Sequence, residues 1–232
     1  MKKVLMSICI IGAVGCFIYA VNWFTDGWRH KNNSRQLAES FHNKQPLPEA
    51  SEDTASVNAE GRTDPSGDRF AYLSLLNPDV VGWLVIEGTS IDYPVVQGDD
   101  NEYYLNVDFH GQTSDRGAIF RDYRYTDDDS YNIIYGHHMK DGTMFHDLYL
   151  YKSPDYRDKH PNILFIPAEG GEEAFMVVEV LYWHLSNENE QDFLEYFFGL
   201  DNSNGKLLAL ITCDNAAFDS RLIVVARQME AG

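Results

Sequence analysis

Lys206-Leu-Leu-Ala-Leu-Ile-Thr-Cys213, then a loop over residues 214–220, then Arg221-Leu-Ile-Val-Val-Ala-Arg-Gln228, is the stretch on which the fold of this chain turns. Residues 207–211 are apolar at every position, so the run lacks the alternation of a half-solvated strand and reads as one buried along its length. Such a strand surfaces at its end, where Cys213 stands. Thiolate is the nucleophilic form of cysteine, and a neighbouring cation or histidine favours it. If residues 214–220 join two neighbouring strands, Cys213 and Arg221 sit side by side at one end of the sheet. A guanidinium is permanently charged and offers a planar fork of donors to an oxygen gaining negative charge. The alternatives are an inert buried thiol at Cys213 and an ion pair of Arg221 with Asp214 or Asp219.

Working backward, the same strand-and-turn texture reaches Pro78. Strands are predicted at 81–86, 90–96, 118–121, 131–135, 162–166 and 173–183, besides 206–213 and 221–228. Glu87-Gly88, Gln97-Gly98, Gly136, Gly170-Gly171 and Asn204-Gly205 punctuate them. Eight short strands with few helices make the chain mainly β, a barrel or a sandwich. Helical spacing is confined to 69–76, stopped by Asn77-Pro78, and to short patches at 101–105, 144–150 and 190–198. There is no internal repeat.

The strand at 131–135 leaves through Gly136 into His137 and His138, a placement that sets them at a sheet rim. His110, His146, His160 and His184 lack it and read as surface or packing residues. Adjacent residues of an extended segment point opposite ways, so a histidine pair is a poor chelate. No Cys-x-x-Cys, His-x-x-x-His or aspartate cluster completes a metal ligand set, and no metal is expected.

A net charge of −18 argues against nucleic acid as a partner, because phosphate neutralisation needs clustered Lys and Arg. It serves solubility. Residues 4–24 carry no charge and match the ~20 residues that cross a bilayer core as a helix. Lys2 and Lys3 precede this run, and Trp23 and Trp28 fall where an interfacial belt would lie, although Arg29, Lys31 and Arg35 follow. A signal peptide cleaved after Ile18-Tyr19-Ala20 is the alternative, but the apolar run is too long for an h-region. The expected organisation is a cytoplasmic tip and transmembrane anchor over 1–25, a polar stalk over 26–68, helical at most around 35–42, and a globular domain over 69–232. With Cys9 and Cys16 inside the anchor, Cys213 is the one thiol of the exported part, which therefore holds no internal disulfide.

Four segments resemble class B sortases. They are Asn77-Pro-Asp-Val-Val-Gly-Trp-Leu-Val-Ile-Glu-Gly-Thr-Ser-Ile-Asp-Tyr-Pro-Val-Val-Gln97, Asp100-Asn-Glu-Tyr-Tyr-Leu105, Tyr135-Gly-His-His-Met-Lys-Asp-Gly-Thr-Met-Phe145, and Thr212-Cys213 with Arg221. They occur in the family's order over residues 70–227. The resemblance implies an eight-stranded sortase-type barrel with an N-terminal helix and short peripheral helices. It implies a catalytic trio of His137, Cys213 and Arg221, with Asn101, Leu105 and Thr212 binding substrate. The implied enzyme is a membrane-held cysteine transpeptidase without a cofactor. It would cleave a C-terminal sorting motif of surface proteins after Thr through a thioacyl-enzyme, and pass the acyl group to an amine of a cell-wall precursor or pilin. A hydrolytic cysteine peptidase and a non-catalytic surface assembly protein are the alternatives. Two departures stand out. Between the sixth and seventh strands, where the family carries a long helix, 185–205 has room for about three turns, and the acidic Asp127-Asp-Asp-Ser130 reads as a solvated loop.

Overall fold

The computed structural model describes residues 2–43, 67–184, 190–200, 205–214 and 220–229. The chain divides into two compact units, Met1–Glu39 and Ser40–Gly232. The first unit is helical. Helix α1, Lys2–His42, is continuous, so residues 26–34, expected to be irregular, belong to it. Pairs one turn apart support this stretch: Arg29 reaches Asp26 at 3.4 Å and Arg35 reaches Glu39 at 2.8 Å. Each such pair stabilises a helix by roughly 0.2–0.5 kcal/mol. Ile10, Ile11, Val14, Phe17, Ile18 and Phe24 are all open to the surroundings. By length and composition, the apolar N-terminal part of α1 is sufficient to cross a membrane. The rest of the predicted stalk, 44–66, lies outside the described residues.

In the second unit, helix α2 (Gly67–Leu76) leads into eight strands. These are β1 (Val80–Val85), β2 (Asp92–Val96), β3 (Ile119–Arg121), β4 (Tyr131–Tyr135), β5 (Asn162–Pro167), β6 (Glu173–His184), β7 (Leu207–Asp214) and β8 (Ser220–Gln228). Every predicted strand is present, with ends shifted by a residue or two. They close into a barrel in the order β1-β2-β3-β4-β7-β8-β6-β5, so the expected eight-stranded barrel is what the chain builds. β2 pairs with β3 and β4 with β7 in parallel, and the other neighbours are antiparallel. The predicted short patches are 3-10 turns at Tyr103–Leu105 and His146–Lys152. A further helix, α3 (Pro154–Lys159), escaped the sequence reading although Ser153-Pro154 is a start signal. Helix α4, Glu190–Gly199, has just under three turns, the length expected for that insert.

The apolar run of β7 has a structural reason. Leu208 and Leu210 face the barrel interior with Leu222, Val224 and Ala226 of β8 and Ile134 of β4. Leu207, Ala209 and Ile211 join Ile133, Ile223 and Val225 in a second cluster on the outer face, closed by Phe197 of α4. A strand buried on both faces has no polar position to alternate with. Elsewhere, Phe41 stacks on Trp83 at 4.2 Å, and Asp92 accepts hydrogen bonds from Trp83 Nε1 at 2.6 Å and His42 Nε2 at 3.0 Å. These contacts lie within the second unit, between Phe41 and His42 and the strands β1 and β2. The acidic loop is solvated as expected at Asp128, Asp129 and Ser130, while Asp127 turns inward to pair with buried Arg121.

Phe197, fully buried, should be the keystone of the outer cluster. Phe197→Ala is expected to cost about 3–5 kcal/mol, the usual range for truncating a buried phenylalanine. Urea unfolding of wild type and variant measures it, and a loss below about 1 kcal/mol would show that α4 contributes little to the barrel.

Candidate active site

Three adjacent strands bring the sequence-predicted residues to one end of the barrel. β7 lies between β4 and β8. Its Cys213 is the cross-strand partner of Arg221, the side-by-side placement expected from the loop between them. On the other side, the last pair of the parallel β4–β7 ladder is Tyr135 with Ile211, and Gly136 N–H extends it to Ile211 O at 3.1 Å. Two residues further, the parallel chains reach His137 on one and Cys213 on the other. The backbone of Cys213 is thus flanked by the strands that carry the histidine and the arginine. Its side chain, with those of Asp214 and Asp219, is not among those described.

Gly136 is required where it stands. A Cβ there would come within 2.5 Å of Ile119 Cδ1 and 2.8 Å of the Phe145 ring, both in the packed interior. His137 is held from both sides, since its carbonyl accepts from Phe145 N–H at 2.9 Å. His138 turns the other way, with its ring 4.5 Å from His146 and 4.2 Å from Tyr149. His146 Nδ1 lies 2.8 Å from Met139 O, and the His160 ring stacks on Tyr156 at 4.4 Å. Both are packing residues, as expected. His110, exposed beside Phe109, is a surface residue, and the side chain of His184 is outside the described residues.

One cavity is lined by His137 and Arg221 together with Asn101, Leu105, Thr212, Gly136 and three apolar or aromatic residues, Phe120, Tyr135 and Ile211. The structure therefore collects five of the six predicted site residues around one space, with the backbone of the sixth at its edge. Asn101 is fixed there by donating to Asp122 Oδ2 at 2.9 Å and accepting from Tyr123 N–H at 3.1 Å. The Thr212 hydroxyl is buried and has no hydrogen-bond partner among the described residues. Among those residues Arg221 forms no ion pair. Tyr135 lines the cavity and was not singled out from the sequence. Its separation of two from His137 was the available signal, because alternate strand residues share a face.

Burial pushes the His137 imidazole below the ordinary histidine range, and the Arg221 charge adds to that, against a smaller opposing pull from Asp115. The two cationic groups therefore share the cavity most easily when His137 is neutral. A negative group between them would reverse the balance, since an opposite charge favours the protonated imidazole.

Residues 84–229 match the sortase domain family. The chain is 38% identical over 158 residues to sortase B of Listeria monocytogenes, covering 66% of this chain and 59% of that protein. It is 32% identical over 183 residues to sortase B of Staphylococcus aureus, covering 68% and 74%. The Staphylococcus aureus sortase B–substrate complex superposes with a TM-score of 0.70 at 26% identity, covering 90% of this chain and all of that one. The chain belongs to the sortase family, class B.

His137 should titrate below its ordinary value of about 6.5. Replacing Arg221 by Gln should move it upward while burial keeps it depressed. An NMR titration of the His137 ring protons in full-length protein checks both. A shift downward on loss of Arg221 would contradict the electrostatic reading.

Proposed function

We propose that this chain is a membrane-anchored cysteine transpeptidase in which Cys213 is the nucleophile, His137 the acid–base and Arg221 the stabiliser of the oxyanion. The observation that carries the reading is the strand register, which sets Cys213 opposite Arg221 while His137 and Arg221 share one cavity. Strand alternation, which turns Ile211 to that cavity, applies equally two residues on at position 213.

In the reactive form the thiol proton resides on His137. Burial and Arg221 disfavour an isolated imidazolium, but a thiolate between the two cationic groups compensates both. Thiolate attacks the carbonyl carbon of Thr in a sorting motif, a C–S bond forms, and the carbonyl oxygen gains the negative charge that Arg221 binds. The C–N bond then breaks as His137 gives its proton to the departing amine, leaving a thioester on Cys213. An incoming amine from a cell-wall precursor or a pilin attacks the thioester, surrenders a proton to His137, and the new amide releases the thiolate. No cofactor enters these steps.

Asn101 and Leu105 would line the peptide path, with Thr212 offering a hydroxyl that has no partner among the described residues. Residues 4–24 would hold the enzyme at the membrane, with Lys2 and Lys3 cytoplasmic and the barrel outside, near substrates and lipid-linked acceptors that are membrane-held too.

A pooled peptide library with Thr fixed and its neighbours randomised, incubated with an added amine and read by mass spectrometry, tests this. Wild type should give amide products, and Cys213→Ala none. His137→Ala should cost about 10³-fold, within the span of general acid–base catalysis, and His138→Ala less than about 10-fold. Products that incorporate only water would make the chain a hydrolytic peptidase. Unchanged turnover in Cys213→Ala would remove the reading altogether.

A further inference from the structure

One carboxylate beside the cavity has no part in the chemistry above. Asp122 follows β3 directly, and its side chain has 0% exposure. A buried carboxylate costs several kcal/mol in desolvation unless donors compensate it. Here they do. Arg124 donates from Nε at 2.8 Å to one oxygen and from a terminal nitrogen at 2.6 Å to the other, and its backbone N–H adds a third bond at 3.0 Å. Asn101 Nδ2 donates at 2.9 Å and the Tyr135 hydroxyl at 3.1 Å. The Asp122 backbone is pinned as well, with its N–H on Ile133 O at 2.9 Å and its carbonyl accepting from Gln97 Nε2 at 2.8 Å. Burial raises the Asp122 pKa, but these donors outweigh it and hold the carboxyl below the ordinary range.

Two of the donors, Asn101 and Tyr135, are walls of the cavity. An ionised carboxylate only accepts, so it dictates the polarity of whatever it binds. The Tyr135 hydroxyl commits its proton to Asp122, so toward any other group it can only accept. Asn101 commits one amide hydrogen to Asp122 and its oxygen to Tyr123 N–H, leaving its second amide hydrogen to donate. Asp122 thus sets the wall's polarity, accepting at Tyr135 and donating at Asn101, the complement of the N–H and C=O of an extended peptide.

We propose that Asp122 is a positioning residue of the peptide groove, which sets the orientation and hydrogen-bond polarity of Asn101 and Tyr135 without touching the peptide. The inference rests on the sortase reading of the cavity. It gives peptide selection a determinant behind the groove wall. Asp122→Asn is nearly isosteric but carries two donors, so an amide facing Tyr135 Oη would force that hydroxyl to turn its proton into the cavity. Arg124 would lose the bond from its terminal nitrogen to that position and keep the one from Nε to the remaining oxygen.

The test uses full-length protein in detergent with the same Thr-fixed library. It adds kcat and KM on the best-cleaved library peptide, and the rate of Cys213 alkylation by iodoacetamide, read on the Cys213 tryptic peptide. Asp122→Asn should raise KM at least about 10-fold and change the library profile, with alkylation within about 2-fold of wild type. Tyr135→Phe removes only the hydroxyl and should shift KM in the same direction. Adding Tyr135→Phe to Asp122→Asn should cost little more, because residues acting through one interaction are not additive. Unchanged KM in Tyr135→Phe, full additivity, or a fall in kcat and alkylation at constant KM would each overturn the proposal, and the first does so even if Asp122→Asn does not fold. Cleavage of no peptide by wild type would instead overturn the sortase reading on which the proposal stands.

Discussion

The hydrogen-bonded seating of β7 between a parallel and an antiparallel neighbour is the constraint on which the rest depends. The ladder with β4 fixes how far along the barrel Gly136 and His137 emerge, and the ladder with β8 fixes that Arg221 stands opposite Cys213. Strand side chains repeat every two residues, so a slip of one position would move a whole set to the other face. Such a slip would exchange the two faces of β7, sending Leu208 and Leu210 outward and Leu207, Ala209 and Ile211 inward, into spaces packed for other side chains. Two hydrophobic clusters, one on each face of β7, resist it together. The same burial that stabilises the barrel therefore positions the candidate chemistry, and no separate device is needed to align three residues drawn from three strands.

Electrostatics at the cavity run against the chain as a whole. The protein carries −18 overall, yet the cavity holds an arginine and a histidine and no described carboxylate among its lining residues. Asp122, a buried carboxylate bonded to two of the lining residues, is paired with Arg124. A cavity with cationic groups and little countercharge is a poor place for an imidazolium alone and a good one for a thiolate or an oxyanion. The depressed pKa of His137 reflects this. It means that the charged pair is disfavoured until both of its members form together.

Most of the architecture was legible in the chain because it is written locally. All eight strands were marked by short apolar or alternating runs, most of them bounded on one side by a Gly-containing turn, and the uninterrupted run at 207–211 already declared a buried strand. What covers its outer face was not legible, since Phe197 sits in a short helix with nothing to mark it as a lid. Barrel order was hidden for the same reason. β4 and β7 are more than 70 residues apart, and no local signal announces their parallel pairing. Continuity of α1 through 26–34 was missed because a polar helix and a polar stalk have the same composition. At the candidate site, His137, Cys213 and Arg221 were singled out from motif and loop length, and Gly136 from its place at a strand end. Asp122 was invisible. Its meaning lies in Asn101, 21 residues before it, and Tyr135, 13 residues after it, and only the fold brings those to one carboxylate.

The central claim is that the end of β7 carries an acyl group during turnover. Full-length protein incubated with the Thr-fixed library in the absence of added amine, quenched in acid and analysed by tandem mass spectrometry, addresses it directly. The account predicts a peptide-derived acyl adduct on the tryptic fragment containing Cys213, ending in Thr and released by hydroxylamine as a thioester would be. Cleavage products accumulating with no adduct at Cys213, or with the adduct on another residue, would contradict it.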